Sequence, residues 1–139
     1  MKRLIHGGNT AVLRVALRAI REETGLIAYL FEVYDSETIR RYALELDFHA
    51  GEVETALMLS LYPDQVREQS YPAPWKGSPL DIANVRLNVP WQAEDFASSG
   101  VIGNPNGATA RLGKEVLSAL AEELAGLLLT VLNREDDEP

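Results

Sequence analysis

Apolar residues recur at helical spacing directly after a polar turn near the start of the chain. Asn9 or Thr10 can cap a helix there, because their short side chains accept hydrogen bonds from the first free backbone N–H groups. Gly25 is typical of the position just past a helix end. The pattern therefore predicts a first helix between these residues, with one apolar side formed by Val12, Leu13, Ala16, Leu17 and Ile20.

Two apolar runs of strand type flank this predicted helix. Residues 4–5 form the end of one strand, and residues 26–33 are a nearly continuous run, as expected of a strand that is buried on both faces. Asp35 or Ser36 can then cap a second helix that extends to about residue 46. The order strand, helix, strand, helix predicts an α/β layer architecture with a mostly parallel sheet.

Two more helices are predicted in the rest of the chain, on either side of a loop-rich region. Residues 54–61 are predicted to form a buried helix that Pro63 ends. Prolines interrupt residues 71–105, where residues 85–89 alternate as a short strand would. A long final helix is predicted over residues 108–133, with an apolar stripe formed by Val116, Leu120, Leu124, Leu127 and Val131.

Length and composition favour a single soluble domain over residues 1–139. The formal net charge of -8 lacks the electrostatic footprint of a nucleic-acid-binding protein, and part of it lies in an acidic tail over residues 134–139. Cysteine is absent, which excludes disulfides, thiolate metal ligands and a cysteine nucleophile. The sequence contains neither a signal-peptide pattern nor a membrane-spanning stretch, so we expect a cytoplasmic protein without nucleic-acid or membrane partners.

Both histidines of the chain lie in short motifs beside glycine, which points to metal binding or proton transfer. The first opens the motif His6-Gly7-Gly8-Asn9, between a predicted strand and a predicted helix. In open α/β sheets ligands bind at such edges, and paired glycines let backbone N–H groups approach a ligand closely. We therefore expect Gly7, Gly8 and Asn9 to contact a substrate. The alternative is a tight turn with an incidental histidine.

The second histidine lies between two predicted helices, close to several carboxylates. Asp47, two residues before His49, can orient the imidazole ring and fix its tautomer. Glu54 falls in the first turn of the next helix, where a carboxylate either compensates the helix dipole or faces a cation. For Glu52 we favour the dipole role. Gly51 allows a sharp turn between the two helices.

Three motifs, in this order, resemble those of the creatininase (creatinine amidohydrolase) family. The first is the His-Gly-Gly-Asn turn at residues 6–9, and the second is His-Ala-Gly-x-x-Glu-Thr at residues 49–55. The third is Gly-Val-Ile-Gly-Asn-Pro at residues 100–105, followed by Ala108, Thr109 and Gly113. Each motif is short, but together they extend over nearly the whole chain.

The resemblance implies a metal-dependent hydrolase of amide or cyclic amide bonds in small molecules, built as a three-layer α/β/α sandwich and assembled as a homo-oligomer. The family's divalent metal centre, for which Zn, Mn and Fe are the candidates, activates water for attack on a carbonyl carbon. His6 matches the family's metal-binding histidine, and Glu54 matches a carboxylate in or near the metal centre. His49 matches the histidine proposed to move protons, and Asp47 is its predicted catalytic partner.

The chain departs from the family pattern on its N-terminal side. Family members are considerably longer, and their first half carries a Glu-x-His motif and a downstream Asp that supply most metal ligands. This sequence contains no Glu-x-His, and Leu4 and Ile5 stand where the family has Asn-Gly. We therefore interpret the chain as the C-terminal half of a creatininase-like enzyme, with an incomplete metal site and little activity by itself.

Two functions from different classes remain open. One is a creatininase-family amidohydrolase, to which this chain contributes His6 and His49 as a homo-oligomer or together with a complementary N-terminal half. The other is a non-catalytic scaffold or oligomerisation protein derived from the same fold. Trp75 and Trp91 either stack on a flat substrate ring or serve packing alone. We expect the two histidines to lie close together at one sheet edge, and the chain to self-associate through uncovered apolar surfaces.

Overall fold

The computed structural model describes residues 9–33, 36–43, 47–77 and 92–135, and helices dominate these ranges. The four α-helices within them are α1 (Thr10–Thr24), α2 (Glu37–Tyr42), α3 (Glu52–Leu61) and α4 (Ala110–Glu135). Single turns of 3-10 helix occupy Pro63–Gln65, Glu68–Ser70, Ala93–Asp95 and Pro105–Gly107.

The described residues contain no β-strand, so the predicted mostly parallel sheet and the implied α/β/α sandwich are wrong. Residues 26–33 were predicted to be a buried strand, but Leu26 is 65% exposed, Ile27 55% and Tyr29 61%. A strand is stable only when a neighbouring strand satisfies its backbone N–H and C=O groups, and no described segment pairs with this run. The strands predicted at residues 4–5 and 85–89 lie outside the described residues.

The first predicted helix is confirmed. α1 begins at Thr10 and ends before Gly25, which has a φ of 72° and donates its N–H to the carbonyl of Arg21 over 2.9 Å. Glycine suits this left-handed position because it has no Cβ to collide with the preceding carbonyl. Asn9 stands at the N-cap position, but its side chain makes no capping hydrogen bond.

The other three predicted helices are also present, with shifted bounds. The hydroxyl of Ser36 accepts a hydrogen bond from the N–H of Ile39 over 3.1 Å, which confirms it as the cap of α2. α2 ends at Tyr42, earlier than predicted, and residues 44–46 lie outside the described ranges. α3 begins two residues before the predicted start, at Glu52.

The core lies where α3 packs against the first half of α4. Four buried side chains form it, namely Val53, Leu57, Val116 and Leu120. The two helices approach so closely that a Cβ on Gly113 would lie 1.9 Å from the carbonyl oxygen of Ala56. Glycine is therefore required at this crossing for steric reasons, since any side chain would push the helices apart.

A carboxylate from α4 holds the start of α2. The Oε1 atom of Glu123 accepts the N–H of Glu37 over 3.1 Å, and its Oε2 atom accepts the N–H of Thr38 over 3.0 Å. A hydrogen bond from the Thr38 side chain, helped by these two backbone N–H groups, lowers the pKa of Glu123. An acidic side chain from one helix thus caps another, which fixes α2 against α4.

Large apolar side chains remain exposed on α1, the first helix, and on the second half of α4, the last helix. α1 has no buried residue, and Val12 and Val15 on it are 70% and 71% exposed. On α4 the predicted stripe is buried at Val116 and Leu120, whereas Leu127 is 48% exposed. Among the helices that the structure describes, none has the length and apolar character needed to cross a membrane.

Candidate functional site

The loop that leads into α3 is built around the carboxylate of Asp47. Its Oδ2 atom accepts the N–H of Val53 over 3.0 Å, so Asp47 caps a helix that begins five residues later in the sequence. A Cβ on Gly51 would lie 1.5 Å from the Oδ1 atom of Asp47. The backbone of Gly51 has a φ of -85°, outside the left-handed region that favours glycine. Glycine is therefore needed here to make room for the carboxylate, rather than for the sharp turn that the sequence suggested.

Burial raises the pKa of Asp47 above its ordinary value of 3.8. The hydrogen bond from Val53 opposes this rise, and the negative charge of Glu54 adds to it. Asp47 is thus a partly buried carboxylate whose charge is held mainly by the start of α3.

Ala50 adopts a left-handed backbone with a φ of 53°, which is unusual for a residue with a side chain. Its N–H donates to the Oε2 atom of Glu54 over 2.5 Å. Its carbonyl accepts the hydroxyl of Thr55 over 3.3 Å. This conformation costs an alanine about 1–2 kcal/mol. The two hydrogen bonds from α3 offset that cost and hold the residue that directly follows His49.

The backbone of His49 is fixed by an antiparallel bridge to Ile102. The N–H of His49 donates to the carbonyl of Ile102 over 3.1 Å, and the N–H of Ile102 donates back over 2.9 Å. Ile102 is completely buried, which anchors the bridge to the interior. The His49 side chain is 36% exposed, and its Nδ1 atom lies 3.9 Å from the Oε2 atom of Glu54. A rigid backbone therefore carries an imidazole that solvent can reach.

The segment after Ile102 connects this loop to residues 71–77. The carbonyl of Gly103 accepts the N–H of Trp75 over 2.9 Å. The side chain of Asn104 accepts the N–H of Asn106 over 3.1 Å, and the Asn106 side chain donates to the carbonyl of Pro72 over 3.2 Å. The second and third motifs of the sequence therefore form one hydrogen-bonded unit around His49.

Trp75 is fixed by packing contacts in this unit. Its indole N–H donates to the carbonyl of Phe96 over 3.4 Å. A Cβ on Gly77 would lie 2.0 Å from the indole ring, so the ring rests directly on that glycine. This geometry agrees with a packing role for Trp75, while Trp91 lies outside the described residues.

The structure brings three of the predicted site residues together, namely Asp47, His49 and Glu54. Asp47 holds the start of α3, and Glu54 is the carboxylate beside the imidazole. His6, Gly7 and Gly8 lie outside the described residues, so the expected proximity of His6 and His49 stays a prediction.

The described residues do not by themselves make a metal centre. No group of three or more His, Asp or Glu side chains in these ranges is placed to hold a metal ion. Asp47 and Glu54 each already use an oxygen to accept a backbone N–H group. A cavity of about 30 Å³ beside these two carboxylates, otherwise apolar in its lining, has room for about one water molecule. It is too small for an organic substrate.

Two residues that matter for this geometry were missed by sequence reasoning. A left-handed Ala50 is not visible in a sequence, because glycine or asparagine is the expected residue there. Ile102 looked like a routine apolar residue, although it is the backbone partner of His49. A signal did exist for it, since it lies in the third motif, between two glycines.

Comparison with known proteins agrees with the three motifs. The family model described as "Creatininase: Creatinine amidohydrolase" matches residues 5–128. The chain therefore belongs to the creatininase family. No curated protein sequence matches it significantly.

Solved structures show the same relationship. A Bacteroides fragilis protein provisionally described as a creatinine amidohydrolase is 30% identical over 88% of this chain and 49% of its own length, with a TM-score of 0.66. A manganese form of creatininase is 22% identical over 96% of this chain and 55% of its own length, with a TM-score of 0.59. The zinc–zinc form of a creatininase mutant is 22% identical over 91% and 50%, with a TM-score of 0.52. The chain thus spans about half the length of the proteins it resembles, and the last two similarities concern the fold alone.

Proposed function

We propose that this chain forms part of a metal-dependent amidohydrolase that opens a C–N amide or cyclic amide bond in a small molecule. The observation that carries the proposal is the family match over residues 5–128, which includes both histidines. The loop geometry supports it, because a fixed backbone presents the partly exposed imidazole of His49 to solvent.

His49 is the proposed proton carrier of this reaction. A neutral imidazole can take a proton at Nε2 from an attacking water and return it to the leaving nitrogen. Asp47 is its proposed catalytic partner, and it acts by holding the loop and the start of α3 in place. Gly7, Gly8 and Asn9 are the proposed substrate contacts.

A divalent ion, when bound, would polarise the carbonyl and supply an activated water. His6 is the proposed ligand from this chain. A catalytic centre typically takes about three protein ligands, and the described residues hold no such group. The remaining ligands are therefore proposed to come from a complementary N-terminal half or from another copy of the chain, which makes assembly part of the function.

A second candidate function is a non-catalytic scaffold of the same family. The observation that favours it is the exposed apolar surface on α1 and on the end of α4, where Val15 is 71% exposed and Leu129 is 61% exposed. Apolar patches of this kind mark sites of protein association. Self-association of the chain is expected under either function.

Reconstitution separates the two functions. The full chain is mixed with a fragment of a creatininase that carries the family's Glu-x-His motif and downstream Asp. Manganese or zinc retained after dialysis and the hydrolysis of creatinine are then measured. The enzyme proposal predicts weak metal binding by the chain alone, and both metal retention and turnover by the mixture. Metal retention with full turnover by the chain alone would contradict the incomplete site. A folded mixture that never turns over would favour the scaffold.

The reconstituted enzyme also tests His49. His49→Ala should lower turnover by on the order of a hundredfold and leave the retained metal unchanged, because general acid–base catalysis contributes about that much. Arg18→Ala serves as the control, since Arg18 is an exposed residue on α1. Equal turnover in both variants would remove His49 from the reaction.

A further inference from the structure

We infer that Glu54 is a positioning residue for His49, acting both through the Ala50 turn and directly on the imidazole. The inference rests on the proposed function, in which His49 moves protons. It assigns the Glu54 carboxylate a role different from the metal ligand that the family resemblance implied.

The first argument is the strained turn beside the histidine. Ala50 is the single non-glycine residue with a positive φ among those the structure describes. Both of its backbone polar groups are bound by adjacent side chains of α3, the N–H by Glu54 and the carbonyl by Thr55. Strained backbone persists only where its surroundings hold it, and such residues cluster at functional sites. Glu54 therefore stabilises the backbone conformation of Ala50, the residue that directly follows His49.

The second argument is the place of the carboxylate relative to the ring. The same Oε2 atom that binds Ala50 lies 3.9 Å from Nδ1 of His49, too long for a direct hydrogen bond but close enough for electrostatic attraction. A negative charge on this side favours the neutral tautomer with its proton on Nδ1. The Nε2 atom then keeps its lone pair, as a proton acceptor in hydrolysis needs.

The third argument concerns the other nearby carboxylate, which has a structural task of its own. Asp47 was expected to orient the ring, but its Oδ2 atom is bound to the N–H of Val53 and its Oδ1 atom lies over Gly51. Asp47 therefore fixes the start of α3, and Glu54, in the first turn of that helix, fixes the histidine.

Imidazole ¹⁵N NMR of the full chain tests the inference without metal or turnover. The protein is kept metal-free with EDTA at mildly alkaline pH, and His6→Gln leaves His49 as the sole imidazole. The parent should show the Nδ1–H tautomer as its main form. Glu54→Leu should shift the ring toward Nε2–H, the form that a free imidazole prefers. Glu52→Leu removes an equal charge from the same helix turn and should leave the tautomer unchanged.

A second variant covers the case in which Glu54→Leu fails to fold. Glycine adopts the left-handed turn without strain, so the double variant Ala50→Gly, Glu54→Leu should keep the loop and still shift the tautomer. Glu54→Gln keeps an acceptor for Ala50 and should shift the ring less. The same tautomer in the parent and in a folded Glu54→Leu variant would overturn the inference. So would a loss of retained metal from the reconstituted enzyme on Glu54→Gln, since that marks a ligand. An inactive reconstituted enzyme would count against the proposed function alone.

Discussion

Two helical regions of this molecule are both predicted by the sequence but have very different surroundings. α3 and the first half of α4 bury Val53, Leu57, Val116 and Leu120 against each other. α1 is a longer amphipathic helix than α3, yet none of its residues is buried. Arg14 of α1 forms an ion pair with Glu32, over 2.7 Å, at a site where the arginine side chain is 65% exposed.

The comparison shows what helical periodicity does and does not determine. The spacing of apolar residues sets which side of a helix avoids water. It does not supply the surface that covers this side. α3 finds that surface on α4 because Gly113 permits close approach to Ala56, whereas no described element covers α1. His49 directly precedes the loop into α3, and its bridge partner Ile102 is completely buried, so we assign His49 to the packed region.

The largest expected effect comes from filling the helix crossing. Gly113→Ala places a Cβ against the carbonyl of Ala56 and should lower the free energy of unfolding by about 3 kcal/mol or more. Gly126→Ala on the same helix meets nothing within 4 Å and should raise it by about 0.5–1 kcal/mol. Urea denaturation followed by circular dichroism measures both. Similar values for the two variants would mean that α3 and α4 do not pack as described.

The next effect contrasts two leucines of α4. Leu120 is 8% exposed and Leu128 is 52% exposed. Leu120→Ala should cost about 2–5 kcal/mol, because it leaves a cavity in the core. Leu128→Ala should change stability by less than about 0.5 kcal/mol. If Leu128→Ala lowers the free energy of unfolding as much as Leu120→Ala in a dilute sample, then the end of α4 is covered. The contrast between the buried and exposed regions would then not hold for α4.

Much of the local structure could be predicted from the sequence. Side-chain chemistry within a few residues predicts the cap of α2 at Ser36, the end of α1 at Gly25 and the start of α3 near Glu54. The sheet could not be predicted correctly, since an apolar run such as residues 26–33 forms a strand only beside a partner. Within the site, the motif identified His49, but its partners Ile102 and Glu54 depend on long-range contact and on a left-handed Ala50.

A smaller effect concerns the carboxylate that caps α3. Asp47→Ala should cost about 1 kcal/mol, since Val53 loses its acceptor. Asp47→Asn keeps an acceptor oxygen and removes a partly buried charge, so it should cost less.

The pH dependence of this effect has a defined sign. The folded pKa of Asp47 lies above its ordinary value of 3.8. At pH values between 3.8 and the folded pKa, the folded protein therefore binds more protons than the unfolded chain. The contribution of Asp47 to stability therefore falls as the pH rises through that window. As the pH rises through this window, the free energy of unfolding of Asp47→Asn should increase relative to that of the parent. Urea titrations at a series of pH values measure this difference. A constant difference would contradict the burial of this carboxylate.

The smallest effect on stability is expected in the region of α1. Arg14→Ala removes the exposed ion pair with Glu32 and should change stability by less than about 1 kcal/mol, falling toward zero at high salt. Thermal unfolding at low and high salt measures it. A large, salt-independent loss would show that Arg14 holds α1 to the rest of the molecule.

Native-state hydrogen exchange of the dilute chain tests the central claim most directly, namely that His49 belongs to the packed region and α1 does not. The amides of Leu57 in α3 and of Ile102 in the bridge should exchange slowly, near the rate of global unfolding. The amide of Val15 in α1 should exchange much faster, through local opening. Equal protection of Val15 and Leu57, or rapid exchange at Ile102, would contradict the account.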